Sequence, residues 1–221
     1  MKKAIVLLSG GMDSAVTASI ASQNHTCYFL HFDYSQKTEK KERESFLKLV
    51  KFFKPEDFLI VKLDFFKKFG KSALIDEKLK VPEGLHTKKE VPITYVPFRN
   101  ANLISIAVSW AETLNAEKIF IGATEEDSAG YPDCRKIFYK IFNKLLKVGT
   151  KNKNIKIVTP LINLKKSEIV KLGIKLKTPF ELTWSCYKNS KYACGKCDSC
   201  IRRILAFKEA NVTDPIPYEK R

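Results

Sequence analysis

The fold is decided by the stretch Ala4-Ile-Val-Leu-Leu8-Ser9-Gly10-Gly11-Met12-Asp13-Ser14, in which a short apolar run passes directly into two glycines. Residues 15–22 then continue with a helical pattern, so the order is strand, glycine turn and helix start. Consecutive glycines let the backbone approach a phosphate chain, and the helix start adds partial positive charge. We therefore predict that this loop binds the phosphates of a nucleotide.

The polar residues of the loop suit the same ligand. Ser9 and Ser14 carry hydroxyl donors, and Asp13 is placed to hold Mg²⁺ among phosphate oxygens. The alternative is an ordinary strand-to-helix turn in which Ser14 caps the helix. A bare pair of glycines would favour that alternative, whereas serines on both sides together with Asp13 favour phosphate binding.

Short apolar runs alternate with helical patterns along the rest of the chain. Helical patterns follow the first two runs, at 13–23 and 37–53, and residues 101–114 are apolar nearly all round, which predicts a helix buried between the sheet and another layer or subunit. Residues 74–96 lose any period and predict a loop or lid. This alternation predicts an α/β fold with a doubly wound, mainly parallel sheet. The runs that predict strands are 4–8, 27–32, 58–63, 118–121 and 155–158.

Length and hydropathy limit the architecture. A chain of 221 residues with 44% hydrophobic content can bury one sizeable core, so we expect one main domain with a small appendage. We place the nucleotide-binding domain at 1–180 and a metal-binding C-terminal segment, packed on the same domain, at 181–221. No apolar run reaches the roughly 18 residues of a membrane span, and we expect a cytoplasmic protein without membrane contact.

The positive charge is concentrated in one part of the chain. The formal net charge is +16, and residues 134–167 contain ten Lys or Arg and no Asp or Glu. Such a field attracts polyanions. Lysines at helical spacing between apolar residues also form ordinary solvated faces, and few aromatic residues are available to stack on bases. We therefore favour a solvated surface or the rim of an ATP site over nucleic-acid binding.

Four of the six cysteines predict a metal site. They occupy fifteen residues, whereas Cys27 and Cys134 stand alone, and this clustering favours a metal over disulfides. Four thiolates leave no open position, which describes structural Zn²⁺ and assigns the cysteines no chemistry. An iron–sulfur cluster is the alternative, although the Cys-Pro that ends a ferredoxin run is missing. The predicted ligands are Cys186, Cys194, Cys197 and Cys200.

The glycine loop resembles that of the N-type ATP pyrophosphatases, a superfamily with an adenine nucleotide alpha hydrolase-like fold that splits ATP between the α and β phosphates. Lys166 resembles the lysine with which this superfamily reaches the phosphates; the alternative is a solvated lysine at a helix start. The resemblance implies catalytic roles for Asp13, Ser14 and Lys166, with Mg²⁺ on the phosphates. It implies ATP contacts at Leu8, Ser9, Gly10, Gly11, Met12, Asp13, Ser14, Ala15, Val16, Thr17 and Ala18, with Arg99 near the ATP.

Three further motifs narrow the superfamily: Val96-Pro-Phe-Arg-Asn100, Gly130-Tyr-Pro-Asp-Cys-Arg135 and Thr183-Trp-Ser-Cys-Tyr187. Together with the glycine loop they resemble the 7-cyano-7-deazaguanine synthase family across nearly the whole chain. The resemblance implies a homodimeric enzyme that takes 7-carboxy-7-deazaguanine, ammonia and two ATP through an amide to a nitrile. It also supports Zn²⁺ as the metal of a small C-terminal Cys₄ knuckle.

A guanine-like ring presents N–H groups that a carboxylate recognises, and its carboxylate substituent suits a guanidinium. Asp133 and Arg135 are therefore our candidates for substrate binding, and Asp133 as the cap of the next helix is the alternative. Cys134 is expected to be packed, because adenylation needs no nucleophilic cysteine.

Two other functions remain open. One is a tRNA-modifying enzyme on the same ATP fold, which the net charge favours but the length disfavours. The other is a non-enzymatic zinc module that binds nucleic acid through phosphate contacts, which leaves the glycine loop unexplained.

Overall fold

A computed structural model describes residues 1–86, 90–124 and 130–220. Its centre is a five-stranded sheet in which every neighbouring pair of strands is parallel. The order of the strands across the sheet is β3-β2-β1-β4-β5. This arrangement confirms the predicted parallel α/β sheet. The strands are β1 (Lys2–Leu7), β2 (His25–Asp33), β3 (Asp57–Lys62), β4 (Lys118–Ile121) and β5 (Lys156–Val158).

Helices cover both faces of the sheet because side chains of a strand alternate between its faces. In β1, Ile5 packs with residues of the helices Arg99–Leu114 and Lys136–Gly149 on one face, and Val6 packs with residues of the helices Met12–Ser22 and Glu39–Phe53 on the other. The sheet is therefore doubly wound. The helices are α1 (Met12–Ser22), α2 (Glu39–Phe53), α3 (Phe65–Phe69), α4 (Arg99–Leu114), α5 (Lys136–Gly149), α6 (Lys166–Lys175) and α7 (Asp198–Glu209).

The strand order reverses at β1, which pairs with β2 on one side and with β4 on the other. In open α/β sheets, ligands bind in the crevice outside the carboxyl ends of the strands at such a reversal point. The glycine loop follows β1 and residues 122–124 follow β4, so both enter this crevice.

Two local predictions can be compared with the structure. The apolar helix 101–114 is α4, but it is not buried all round: Ser105 and Ser109 are exposed, and each hydroxyl donates to a carbonyl four residues earlier. Trp110 and Leu114 are half-buried. Residues 74–86 and 90–96 contain no helix or strand, as predicted.

The C-terminal segment contacts the nucleotide loop. The N–H of Trp184 donates to the carbonyl of Gly10 at 2.8 Å. Phe207 of α7 shares a core with Met12, Val16 and Ile169. Within the part of the chain that the structure describes, no helix has both the length and the apolar character needed to cross a membrane.

Candidate nucleotide and substrate site

A cavity of about 300 Å³ opens at the carboxyl ends of β1, β2 and β4. Its wall includes residues of the glycine loop, the first residue of α6 and residues that begin α4 and α7. The predicted ATP loop and the Gly130 motif therefore face one common space. This position agrees with the reversal of the strand order.

The glycine loop is shaped by its own backbone and hydroxyl groups. Gly10 has φ +92°, and a Cβ there would lie 2.7 Å from the carbonyl oxygen of Glu42, so only glycine fits. Ser9 Oγ donates to Ser14 Oγ at 3.1 Å, and Ser14 Oγ donates to the carbonyl of Gly11 at 2.9 Å. Ser14 lies inside α1 and does not cap it; the N-cap is Gly11, which has no side-chain acceptor. The start of α1 faces the cavity, and the N–H groups of a helix start suit an anion there.

Lys166 and Asp13 form an ion pair on the cavity wall. Lys166 Nζ lies 2.7 Å from Asp13 Oδ2, although the two residues are 153 positions apart. The side chain of Lys166 is only 8% exposed. The reading of this residue as a solvated lysine is therefore wrong. The pair places a cation and a carboxylate where phosphates and their metal ion are expected.

The eleven residues predicted to contact ATP separate into two groups. The lining residues are Leu8, Ser9, Gly11, Met12, Asp13 and Ser14, whereas Gly10 lies behind the loop against Glu42. Residues 15–18 lie off the cavity wall, because α1 carries them into the core, where they are fully buried. The residues that α1 carries into the core are Ala15, Val16, Thr17 and Ala18.

Arg99 lies on the wall at the start of α4. The preceding residue, Phe98, has φ +55°, and its N–H donates to Tyr95 Oη at 2.8 Å. This strained turn directs Arg99 towards Tyr34, which follows β2. Arg99 Nη1 donates to Tyr34 Oη at 2.9 Å, and the guanidinium lies 5.2 Å from the centre of the Tyr34 ring. Burial raises the pKa of Tyr34 to about 12, so its hydroxyl stays protonated.

The structure does not bring Asp133 and Arg135 to the cavity wall. Asp133 is 4% exposed, and its Oδ2 accepts the N–H of Asn100 at 2.9 Å. It therefore holds the start of α4, not that of α5, whose N-cap is Arg135. Burial raises the pKa of the Asp133 carboxyl. Arg135 is exposed and lies off the wall, whereas Tyr131 and Cys134 of the same motif line it.

Several lining residues were missed from the sequence. Thr94 Oγ1 and Tyr131 Oη are 2.6 Å apart, and Tyr187 and Arg202 come from the C-terminal segment. These residues belong to separate segments with no shared pattern. Tyr131 and Tyr187 do lie in two of the motifs quoted above, and Tyr34 lies two residues after the predicted strand 27–32, so these three residues had a usable signal.

The four cysteines meet as predicted. Their Sγ atoms lie within 4.8 Å of one another and all four residues are buried. The separation of Cys194 Sγ and Cys200 Sγ is 3.9 Å, close to the roughly 3.8 Å that tetrahedral geometry with Zn–S bonds of about 2.3 Å requires.

Hydrogen bonds also favour a thiolate at Cys186. Those from Cys197 and Cys200, together with backbone N–H groups, lower the pKa of the Cys186 thiol. The donor set therefore fits Zn²⁺ with no open position.

Comparison with known proteins gives a consistent result. The family model described as queuosine biosynthesis protein QueC matches residues 3–211. A protein of Acidobacterium capsulatum named 7-cyano-7-deazaguanine synthase is 49% identical, with 100% of this chain and 98% of that protein covered. One of the same name from Chlorobium chlorochromatii is 51% identical, with 99% and 97% covered.

A solved structure of NMN synthetase from Francisella tularensis has a TM-score of 0.52 at 18% identity, with 96% of this chain and 78% of that chain covered. At that identity the likeness concerns the fold alone.

Proposed function

This chain belongs to the family of queuosine biosynthesis protein QueC, and on that premise we propose that it is a ligase that makes 7-cyano-7-deazaguanine from 7-carboxy-7-deazaguanine, ammonia and ATP. The observation that carries the proposal is the shared cavity, into which the Ser9–Ser14 loop, the Asp13–Lys166 pair and the Gly130 motif all face.

The reaction comprises two activations of one substituent. A carboxylate oxygen attacks the α phosphorus of ATP and pyrophosphate leaves; ammonia then displaces AMP and gives the amide. The amide oxygen attacks a second ATP, and loss of AMP and protons leaves the nitrile. Both rounds need the same placement of the substituent against an α phosphorus, so one cavity serves both.

We assign the ATP side of the cavity to the glycine loop. The N–H groups at the start of α1 would receive the pyrophosphate, whose charge increases as it leaves. Lys166 would neutralise part of that charge, and Ser9 and Ser14 would keep the loop in shape. Asp13 would hold Mg²⁺, which supplies positive charge on the phosphate oxygens.

We assign the base to the part of the wall that contains Arg99, Tyr131 and Tyr187. The contacts predicted for Asp133 and Arg135 stay predictions. Arg99, which the resemblance placed near the ATP, is here the better candidate for the substrate carboxylate, because it lines the cavity and Arg135 does not. Among the described residues, the Arg99 side chain makes one hydrogen bond, to Tyr34, and this bond uses one of the five N–H groups of the guanidinium.

We assign Zn²⁺ to the cysteine cluster in a structural role. Four thiolate ligands complete a tetrahedral shell, so no position is open for substrate or water. What Zn²⁺ supplies when bound is free energy of folding for residues 186–200.

We propose a homodimer that works in the cytoplasm, where ATP is available. The support is the outer face of α5, where four aliphatic side chains are at least half exposed. Contiguous exposed apolar surface of this kind marks interfaces. Ile141→Asp should then give a monomer in sedimentation experiments, with Lys140→Asp as the control. The four residues are Ile137, Ile141, Leu145 and Val148.

Oxygen labelling tests the proposal. With 7-carboxy-7-deazaguanine that carries ¹⁸O in both carboxylate oxygens, each round should transfer one labelled oxygen to AMP. Two singly labelled AMP molecules per nitrile are expected. Unlabelled AMP, with label in pyrophosphate or water, would contradict activation of the carboxylate and the amide by adenylation.

A further inference from the structure

The segment 81–86 lies along the cysteine cluster. The N–H of Gly84 donates to the carbonyl of Lys196 at 2.8 Å, and Glu83 forms an antiparallel bridge with Cys197. Val81 is buried in the same cluster as the metal-ligand candidates. The cysteine segment thus holds 81–86 through its backbone, and an exposed ion pair between Lys188 Nζ and Glu83 Oε1 at 2.8 Å joins the same two segments.

Both backbone polar groups of His86 are held by side chains of α7. Its N–H donates to Asp198 Oδ1 at 2.8 Å, and its carbonyl accepts from Arg202 Nη2 at 3.0 Å. Arg202 Nε also donates to Asp198 Oδ2 at 2.9 Å, which fixes the two side chains relative to each other. A carboxylate and a guanidinium one turn apart therefore grip a single peptide residue that is more than 100 positions away.

The two hydrogen bonds between the backbone of His86 and the side chains of Asp198 and Arg202, called the grip below, lie at the cavity wall. His86, Asp198 and Arg202 all line the cavity. The next described part of the segment lies against the Gly130 motif: a Cβ on Gly130 would be 2.8 Å from Pro92 Cδ and 3.5 Å from His86 Cδ2. If His86 shifted, its side chain would therefore change position relative to Gly130, on the cavity wall.

The nucleotide loop is fixed by different contacts. Its shape depends on Ser9, Ser14 and the Trp184–Gly10 hydrogen bond. None of these contacts involves 81–86, Asp198 or Arg202. A change at the grip should therefore affect one part of the wall and leave the ATP loop in place.

We propose that Asp198 and Arg202 are positioning residues for the base, through which the cysteine knuckle sets the wall of the substrate cavity at His86 and Gly130. This inference rests on the proposed function for the identity of the ligand. The cysteine segment, on this account, shapes the substrate site in addition to stabilising the C-terminal part of the chain.

Arg202→Ala and Lys208→Ala make a matched pair of tests, because both remove a cation from α7 and Lys208 is exposed and away from the cavity wall. In the zinc-loaded protein, Arg202→Ala should raise the Kd and KM for 7-carboxy-7-deazaguanine roughly tenfold or more, as expected for loss of a charge-assisted hydrogen bond. The KM for ATP and the zinc content should stay unchanged. Arg202→Lys, which keeps one donor, should recover part of the affinity.

Two readouts keep this inference separate from the proposed function. Amide hydrogen exchange of peptides that contain His86 needs no substrate, and Asp198→Ala should speed it at least tenfold relative to Lys208→Ala. If the wild type takes no deazaguanine, the proposed function fails, and the exchange result still judges the grip. Unchanged exchange, or a base Kd for Arg202→Ala equal to that of Lys208→Ala, would overturn the inference. If Arg202→Ala loses zinc, Asp198→Asn takes its place in the measurement of the base Kd, and a Kd equal to that of Lys208→Ala would overturn the inference.

Discussion

Replacing Lys166 by methionine should slow the formation of AMP by about 10²- to 10³-fold. Methionine keeps an unbranched apolar stem and removes the ammonium group. That ammonium lies 2.7 Å from Asp13 Oδ2 with its side chain only 8% exposed, so bulk water is poorly placed to replace it. The ammonium of Lys166 would stabilise the negative charge that develops on pyrophosphate as it leaves. The slower formation of AMP should therefore appear in the chemical step.

The size of the effect separates catalysis from folding. A loss of 10²- to 10³-fold corresponds to about 2.7–4 kcal/mol of transition-state stabilisation. The cost in stability should be smaller, on the order of 1–3 kcal/mol, because the Asp13 side chain is 22% exposed and water can solvate it once Lys166 is gone. The variant should stay folded at 25 °C.

A rapid-quench measurement of labelled AMP over a single turnover tests this prediction. Lys165→Met is the control, because Lys165 is the neighbouring residue, carries the same charge and is exposed. An AMP formation rate for Lys166→Met within threefold of that control would refute the role of the Asp13–Lys166 pair in adenylation.

Three further changes have defined outcomes. Burial raises the pKa of Asp133, so its carboxyl favours folding most when it is protonated. The stability of the wild type relative to Asp133→Asn should therefore fall as pH rises above about 4. Denaturant unfolding at several pH values checks the sign. Arg203 is 1% exposed and bidentate to Asp214 at 2.8 and 2.9 Å, so Arg203→Met should cost about 3–5 kcal/mol in urea unfolding. A Cβ on Gly122 would lie 2.9 Å from the backbone of Asp13, so Gly122→Ala should weaken ATP binding at least tenfold in calorimetry, with little change in zinc content.

The sheet and the nucleotide loop could be predicted because their signals are local. Each strand lies within a few residues of an apolar run, and β4 coincides with 118–121. The cysteine cluster was likewise visible, since ligands that lie close in sequence close small chelating turns around the metal.

The lining of the substrate cavity could not be read in the same way. Asp133 has the chemistry to bind a guanine-like ring, but here it is buried and satisfies the N–H of Asn100. The grip on His86 joins residues more than 100 positions apart, and neither Asp198 nor Arg202 belongs to a periodic pattern that points to it. Contacts of this kind depend on how separate elements pack, which the sequence alone does not reveal.

The net charge of +16 also left one surface of α5 unpredicted. The lysines of α5 are exposed, as a solvated face predicts, but so are Ile137, Ile141 and Leu145 between them. The buried face of α5 is formed by other residues, including Tyr139 and Leu146. The exposed apolar face of α5 is the surface that we propose for the dimer, and composition cannot say which face of the helix meets the sheet.

The most direct test of the account is to incubate the zinc-loaded protein with ATP, Mg²⁺, ammonium and 7-carboxy-7-deazaguanine and to follow the mass of the base together with AMP and pyrophosphate, with Asp13→Ala in parallel. We expect conversion to the nitrile with two AMP and two pyrophosphate per base, and no conversion by the variant. An unchanged base, with ATP cleaved only when tRNA is added, would contradict it and favour an enzyme that modifies RNA.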